Sequence, residues 1–142
     1  MAPHDSQIKK PTILIVEDHD VFREFVNKKL HSLNSAFTII EAQNAEEGLT
    51  LAKTMEPDIV ITDIRLPKMS GIELTRRIKE LLPKTIVIIL SLYEDAVYKE
   101  QAITAGAYAY VLKQQFQSEL IPLLKELLPD AASININEAN NY

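Results

Sequence analysis

Cysteine is absent from the 142 residues. That excludes disulfides and thiolate metal sites, and it allows a reducing compartment. No apolar run approaches the length of a transmembrane helix. The amino terminus, Met1-Ala2-Pro3-His4-Asp5-Ser6-Gln7, lacks the apolar core of a signal peptide. Basic charge is in deficit. The formal net charge of -5 argues against nucleic acid as a direct partner, because phosphate contacts need a basic face. Neither G-x-x-x-x-G-K-S/T nor G-x-G-x-x-G occurs, so nucleotide binding has no support. There is no internal repeat and no low-complexity segment, although the last residues are rich in Asn. What is present is ordinary for one globular domain, with 46% hydrophobic and 25% charged residues.

Within that background, five short apolar runs alternate with helical patterns. Thr12-Ile13-Leu14-Ile15-Val16 is continuous and β-branched, which suits a strand covered on both faces. It ends in Glu17-Asp18-His19-Asp20, where Asp20 is expected to cap a helix bearing Val21, Phe22, Phe25, Val26, Leu30 and Leu33. Phe37-Thr38-Ile39-Ile40 reads as the second strand. Asn44 with Glu47 then forms a capping-box-like start to a helix that Pro57 stops. The third strand, Ile59 to Thr62, delivers Asp63. A loop with Pro67 and Gly71 leads into a helix over Ile72, Leu74, Ile78, Leu81 and Leu82. Thr85 to Leu90 is the fourth strand, closed by Ser91. A helix with a weak apolar face is expected from Glu94 to Ala105, with Gly106 as its stop. Tyr108 to Leu112 is the fifth strand and ends at Lys113. Ser118 is placed as the cap of a last helix, and Pro122 just past its first turn implies a late start or a bend.

Alternation with short connections implies a parallel sheet covered by helices on both faces. For five strands the flavodoxin-like (βα)5 order 2-1-3-4-5 is expected. Right-handed crossovers place every carboxyl end on one rim. Glu17, Asp18 and Asp63 then converge, with Ser91 and Lys113 arriving from the other side. Three carboxylates in one cleft repel one another and recruit a cation. Only oxygen ligands are on offer, so the cation is hard, and Mg²⁺ fits best. Mg²⁺ coordinates phosphate oxygens, and an aspartate can form an acyl phosphate. Lys113 and the Ser91 hydroxyl supply donors for phosphoryl oxygens. Each residue alone has a plainer reading, as a cap or a surface charge. The joint placement at four strand ends makes Asp63 a candidate phosphoryl acceptor.

Four segments carry a resemblance to a known family. They are Ile15-Val16-Glu17-Asp18-His19, Asp63-Ile64-Arg65-Leu66-Pro67 with Gly71, Leu90-Ser91, and Ala105-Gly106-Ala107-Tyr108-Ala109-Tyr110-Val111-Leu112-Lys113. Over about residues 11 to 128 the chain resembles a two-component response-regulator receiver domain. Residues 1-10 are then expected as a disordered arm and 129-142 as a tail or linker. The resemblance implies that Asp63 takes a phosphoryl group from a phosphohistidine on a sensor histidine kinase. It implies Mg²⁺ held by Glu17, Asp18, Asp63 and the backbone carbonyl of Arg65. Ser91 would contact the phosphoryl group, Lys113 would pair with it, and Tyr110 would be the switch aromatic. The expected setting is cytoplasmic, with no membrane contact, and the partner downstream is a protein or a second copy. Catalysis is limited to the chain's own phosphorylation and dephosphorylation, so it is not expected to be an enzyme.

Gln114 departs from the family, which often has a cis proline there. A cis bond before a non-proline costs about 2.5–4 kcal/mol, so the shape of that loop stays open. This departure resembles receivers that precede a helix-turn-helix domain, and the residues after Pro129 are too few for one. A stand-alone receiver, a fragment of a longer regulator and a phosphorelay carrier all fit. A flavodoxin-like cofactor module would need a Gly/Ser/Thr-rich loop after the first strand, where Glu17-Asp18 has the wrong charge. An aspartate-nucleophile phosphatase would usually carry an acid where Arg65 stands.

Overall fold

β-branched residues set the sheet. Thr12–Val16 (β1), Thr38–Ala42 (β2), Ile59–Thr62 (β3), Ile86–Ser91 (β4) and Ala109–Leu112 (β5) pair in parallel in the order β2-β1-β3-β4-β5. The computed structural model describes residues 10–34 and 36–128. The expected arm over 1-10, apart from Lys10, and the tail over 129-142 lie outside them. Five α-helices alternate with the strands: Asp20–Leu33 (α1), Ala45–Met55 (α2), Gly71–Leu81 (α3), Ala96–Ala105 (α4) and Ile121–Leu127 (α5). The strand order is the expected flavodoxin-like one.

Both faces of the sheet are buried, which is why the strands do not alternate apolar with polar. Ile13, Ile15, Ile59, Ile61, Ile88 and Leu90 face one way, against Val26 and Leu30 of α1 and Leu124 of α5. Leu14, Val16, Val60 and Val87 face the other, against Ala52 of α2 and Leu74 and Ile78 of α3. α4 is held least. Ala102 is its one buried residue, packed near Ile89 and Ala107.

Several expectations about local structure are corrected. Asp20 does not cap α1. It is the first residue of the helix, His19 precedes it without a side-chain cap, and the Asp20 carboxylate pairs with Arg23 instead. The buried face of α1 is Arg23, Val26, Leu30 and Leu33, while Val21 and Phe25 are exposed. α4 starts at Ala96, not Glu94, because Asp95 accepts hydrogen bonds from the N–H groups of Val97 and Tyr98. Ser118 caps nothing. Pro122 has no N–H to offer the Ser118 carbonyl, and the chain over Phe116–Leu120 is wound more widely, with Ile121 N–H donating to Phe116 O. α5 therefore starts late. The second strand also runs further than expected, to Ala42, and Phe37 is buried just before it.

Other signals hold. The Asn44 side chain accepts from Glu47 N–H at 2.8 Å, and Glu47 accepts in return from Gln43 N–H at 2.7 Å. Gly106 stands at φ 112°, a left-handed conformation that suits a helix stop. No peptide bond among the described residues is cis, so Lys113–Gln114 is trans.

Candidate functional site

The register brings the strand ends together. Val16 of β1 pairs with Thr62 of β3, so Glu17 and Asp63 leave the sheet side by side. Ser91 of β4 pairs with Leu112 of β5, which puts Lys113 one residue beyond it. Asp63 is fixed through its own backbone, with its N–H on Val16 O at 3.2 Å and its carbonyl accepting from the Thr62 hydroxyl at 2.9 Å. Gly71 at the start of α3 passes so close that an added Cβ would lie 1.8 Å from Asp63 O. A glycine is needed there for backbone approach, not for its conformation. The Ser70 side chain caps α3 by accepting from Glu73 N–H at 3.2 Å. Ser70 followed three residues later by Glu73 is a capping signal legible in the sequence itself.

Lys113 lies between two carboxylates. Its Nζ donates to Glu17 Oε1 at 2.8 Å and to Asp63 Oδ2 at 2.9 Å, and all three residues are buried. Burial pushes the ammonium pKa down and is the largest single effect. The hydrogen bonds and charges of Glu17 and Asp63 together outweigh it, holding the pKa above the ordinary lysine value. The same Nζ stands 4.4 Å from the centroid of the Phe22 ring, a cation–π contact supplied by α1. The other oxygens are also engaged. Asp63 Oδ1 accepts from the N–H groups of Ile64 at 2.6 Å and Arg65 at 3.3 Å. Glu17 Oε2 accepts from His19 N–H at 3.1 Å, with His19 Nδ1 at 3.2 Å.

Asp18 is the exception. Its Oδ1 is buried without a hydrogen-bond partner. His19 Nδ1 is 3.5 Å away, and the Asp18 side chain as a whole is 31% exposed. An acceptor shielded from water and left unpaired is costly, and a cation would relieve it. Glu17, Asp18 and His19 also offer ligand atoms within 4.8 Å of one another. Three carboxylates and one ammonium leave the rim at a formal charge of -2, which a divalent ion with oxygen preference fits.

Ser91 and Tyr110 are near the rim but engaged elsewhere. Ser91 is buried, and its Oγ accepts from Tyr93 N–H at 3.1 Å. The Tyr110 hydroxyl donates to Tyr93 O at 2.6 Å. Both residues therefore converge on the main chain of Tyr93, and neither hydrogen-bonds to Asp63. Arg65 presents its N–H to Asp63, while its guanidinium lies 4.5 Å over the Tyr93 ring. That contact links the loop after β3 to the loop after β4.

One charged residue had no place in the reading of the sequence. Arg23 on α1 is buried and donates to the Glu17 carbonyl at 2.6 Å, to Asp20 at 2.6 Å and to Glu41 at 2.8 Å. Burial pulls its pKa down, but the hydrogen bonds and charges of Asp20 and Glu41 hold it above the usual value. Its signal was its spacing: 23, 26, 30 and 33 form one stripe, with an arginine in the first position.

Comparison with known proteins assigns the family. The sequence model of the response regulator receiver domain matches residues 13–125. The chain is 30% identical over 133 residues to the transcriptional regulatory protein DegU of Brevibacillus brevis, covering 93% of this chain and 56% of that protein. It is 42% identical over 102 residues to the transcriptional regulatory protein YdfI of Bacillus subtilis, covering 71% of this chain and 47% of that one. It thus spans about half the length of these curated relatives. Among solved structures, a LuxR-family two-component response regulator from Aurantimonas superposes with a TM-score of 0.78 at 26% identity, covering 94% of this chain and 100% of that one. The receiver domain of a DNA-binding response regulator from Colwellia psychrerythraea gives 0.80 at 25% identity, with 84% and 99% covered. With this fold, this rim and these relatives, the chain belongs to the response regulator receiver domains of two-component systems.

Proposed function

We propose that Asp63 is the phosphoacceptor of this receiver and takes its phosphoryl group from a phosphohistidine on a sensor histidine kinase. The observation that carries this is the pairing of one buried ammonium, Lys113, with both Glu17 and Asp63, beside an Asp18 oxygen that has no hydrogen-bond partner. In the transfer, an Asp63 carboxylate oxygen forms a bond to phosphorus. The bond from phosphorus to the histidine nitrogen breaks, and its electron pair stays on the leaving imidazole. Lys113 balances the charge delivered to the rim, and the Ser91 hydroxyl is a donor for a phosphoryl oxygen once it leaves Tyr93. Mg²⁺, held by Glu17, Asp18, Asp63 and the Arg65 carbonyl, would neutralise phosphoryl charge when bound. The chain acts on itself only, in phosphorylation and dephosphorylation, and its setting is cytoplasmic.

The output is a change of surface. Moving Ser91 Oγ from Tyr93 to a phosphoryl oxygen frees the Tyr93 N–H. The same main-chain unit holds Tyr110, so both residues shift together. The surface that changes lies beside α4, the helix with the fewest buried residues, and serves a protein partner or a second copy. The decisive measurement is mass spectrometry after incubation with acetyl phosphate and Mg²⁺. Wild type should gain a single phosphoryl group and Asp63→Asn none; a full adduct on the variant defeats the assignment.

A further inference from the structure

Glu17 is the first residue past the end of β1, so the strand ladder no longer serves its carbonyl. Its N–H is taken by Ala42 O at 3.0 Å. Its carbonyl is taken by Arg23, whose side chain reaches the rim from the buried stripe of α1. A peptide unit is planar, so fixing the carbonyl of Glu17 also fixes the N–H and Cα of Asp18. The guanidinium is itself held on two further sides. Asp20 binds it from the first turn of α1, and Glu41 binds it from β2. Asn27 occupies the other Glu41 oxygen, so Glu41 is held in place too. The arrangement spans α1, β1 and β2 and ends at the peptide that carries both acids.

We propose that Arg23 is a positioning residue for cation binding: it locks the Glu17–Asp18 peptide so that the unpartnered Asp18 oxygen faces the shared cation site. The inference rests on the proposed Mg²⁺ site and adds to it a residue that makes no contact with the cation. Geometry, not charge, is what the arginine supplies. A planar fork can meet three acceptors in fixed directions, whereas a lysine carries the same charge on one flexible point. Arg23→Lys therefore separates the two contributions.

The test compares Mg²⁺ affinity, by isothermal titration at a temperature where every variant is folded, with thermal stability measured in chelator. Groups that hold metal ligands in place typically change affinity by roughly 10–100-fold when replaced, and that range is expected for Arg23→Lys. Glu41→Gln, at an exposed position, should weaken binding in the same direction by less. Ile78→Val, in the core away from the rim, should lose stability while keeping wild-type affinity. If Arg23→Lys and Glu41→Gln bind Mg²⁺ as wild type does, Arg23 is only a structural tie and the inference is overturned. A wild type that binds no Mg²⁺ overturns the metal reading itself, and with it the role of Arg23.

Discussion

Replacing Lys113 by Met should expose how much of this fold's stability is electrostatic. The substitution keeps an unbranched apolar stem and removes only the ammonium from between Glu17 and Asp63. Both hydrogen bonds are short, 2.8 and 2.9 Å, and the group is buried, so solvent screens little of the loss. Breaking a buried pair from one side costs about 3–5 kcal/mol, because the partners remain charged. For a domain of this size that lowers Tm by roughly 10–20 °C. The rim also moves from a formal charge of -2 to -3, so a divalent ion gains attraction. The Mg²⁺-induced rise in Tm should therefore be larger in the variant than in wild type. Circular-dichroism melts in chelator and in saturating Mg²⁺ measure both quantities. The sign with pH follows from the raised Lys113 pKa. Its contribution is fully present below the unfolded lysine value of about 10.4 and is lost as pH rises through the higher folded value. The gap in urea midpoint between wild type and Lys113→Met should thus hold at neutral pH and close only on the alkaline side. A variant as stable as wild type in chelator, or one with a smaller Mg²⁺ shift, would refute the reasoning.

Three further outcomes are expected. Asp18→Ala should abolish the Mg²⁺-dependent rise in Tm; equal shifts in wild type and variant would remove Asp18 from the cation site. If the stacked Arg65–Tyr93 pair shields Asp63 from water, the Arg65→Ala, Tyr93→Ala double variant loses phosphate faster than wild type; an unchanged decay rate would exclude shielding. Ser91→Ala should still be phosphorylated but show a weaker change in association, and in amide exchange over residues 91 to 112, with a beryllofluoride mimic. Wild type showing neither change would leave the chain a passive phosphate carrier.

The strand ends were legible because the strands are buried on both sides. An apolar run that stops at a charge marks the rim directly, as at Val16-Glu17, Thr62-Asp63 and Leu112-Lys113. Helix surfaces were less legible. Periodicity placed Val21 and Phe25 inside α1 because it weighs hydrophobicity, and no hydrophobicity scale assigns Arg23 to a buried stripe. Asp20 looked like a cap because it precedes an apolar pattern, yet a nearby guanidinium competes for its carboxylate more strongly than a backbone N–H. The wide turn before α5 was readable only as an irregularity at Pro122, since the missing N–H does not say how the chain will rewind. Engagement of Ser91 and Tyr110 with Tyr93 was not legible at all. It depends on backbone atoms, which every residue carries.

On the proposed phosphorylation of Asp63, the same main-chain unit is the route by which a small event there would reach the surface. Ser91 Oγ holds the Tyr93 N–H, and the Tyr110 hydroxyl holds the Tyr93 carbonyl. The Ser91 hydroxyl also donates to the Tyr93 carbonyl at 3.5 Å, so a phosphoryl oxygen that captures this hydroxyl would draw Oγ from both of its contacts with Tyr93 and leave the Tyr110 tie. Each neutral hydrogen bond contributes only about 0.5–1.5 kcal/mol net, so the exchange is closely balanced. Balance is what a switch requires, because a ligand shifts an equilibrium only by its differential contacts with the two states. The rim carboxylates cannot supply such balance, since moving one buried charge costs several times more. The fold thus separates two energy scales. On the proposed reading, Lys113, Glu17 and Asp63 form the high-energy centre that stays in place, and the loop at Tyr93, beside α4 with its single buried residue, is the low-energy element that would move.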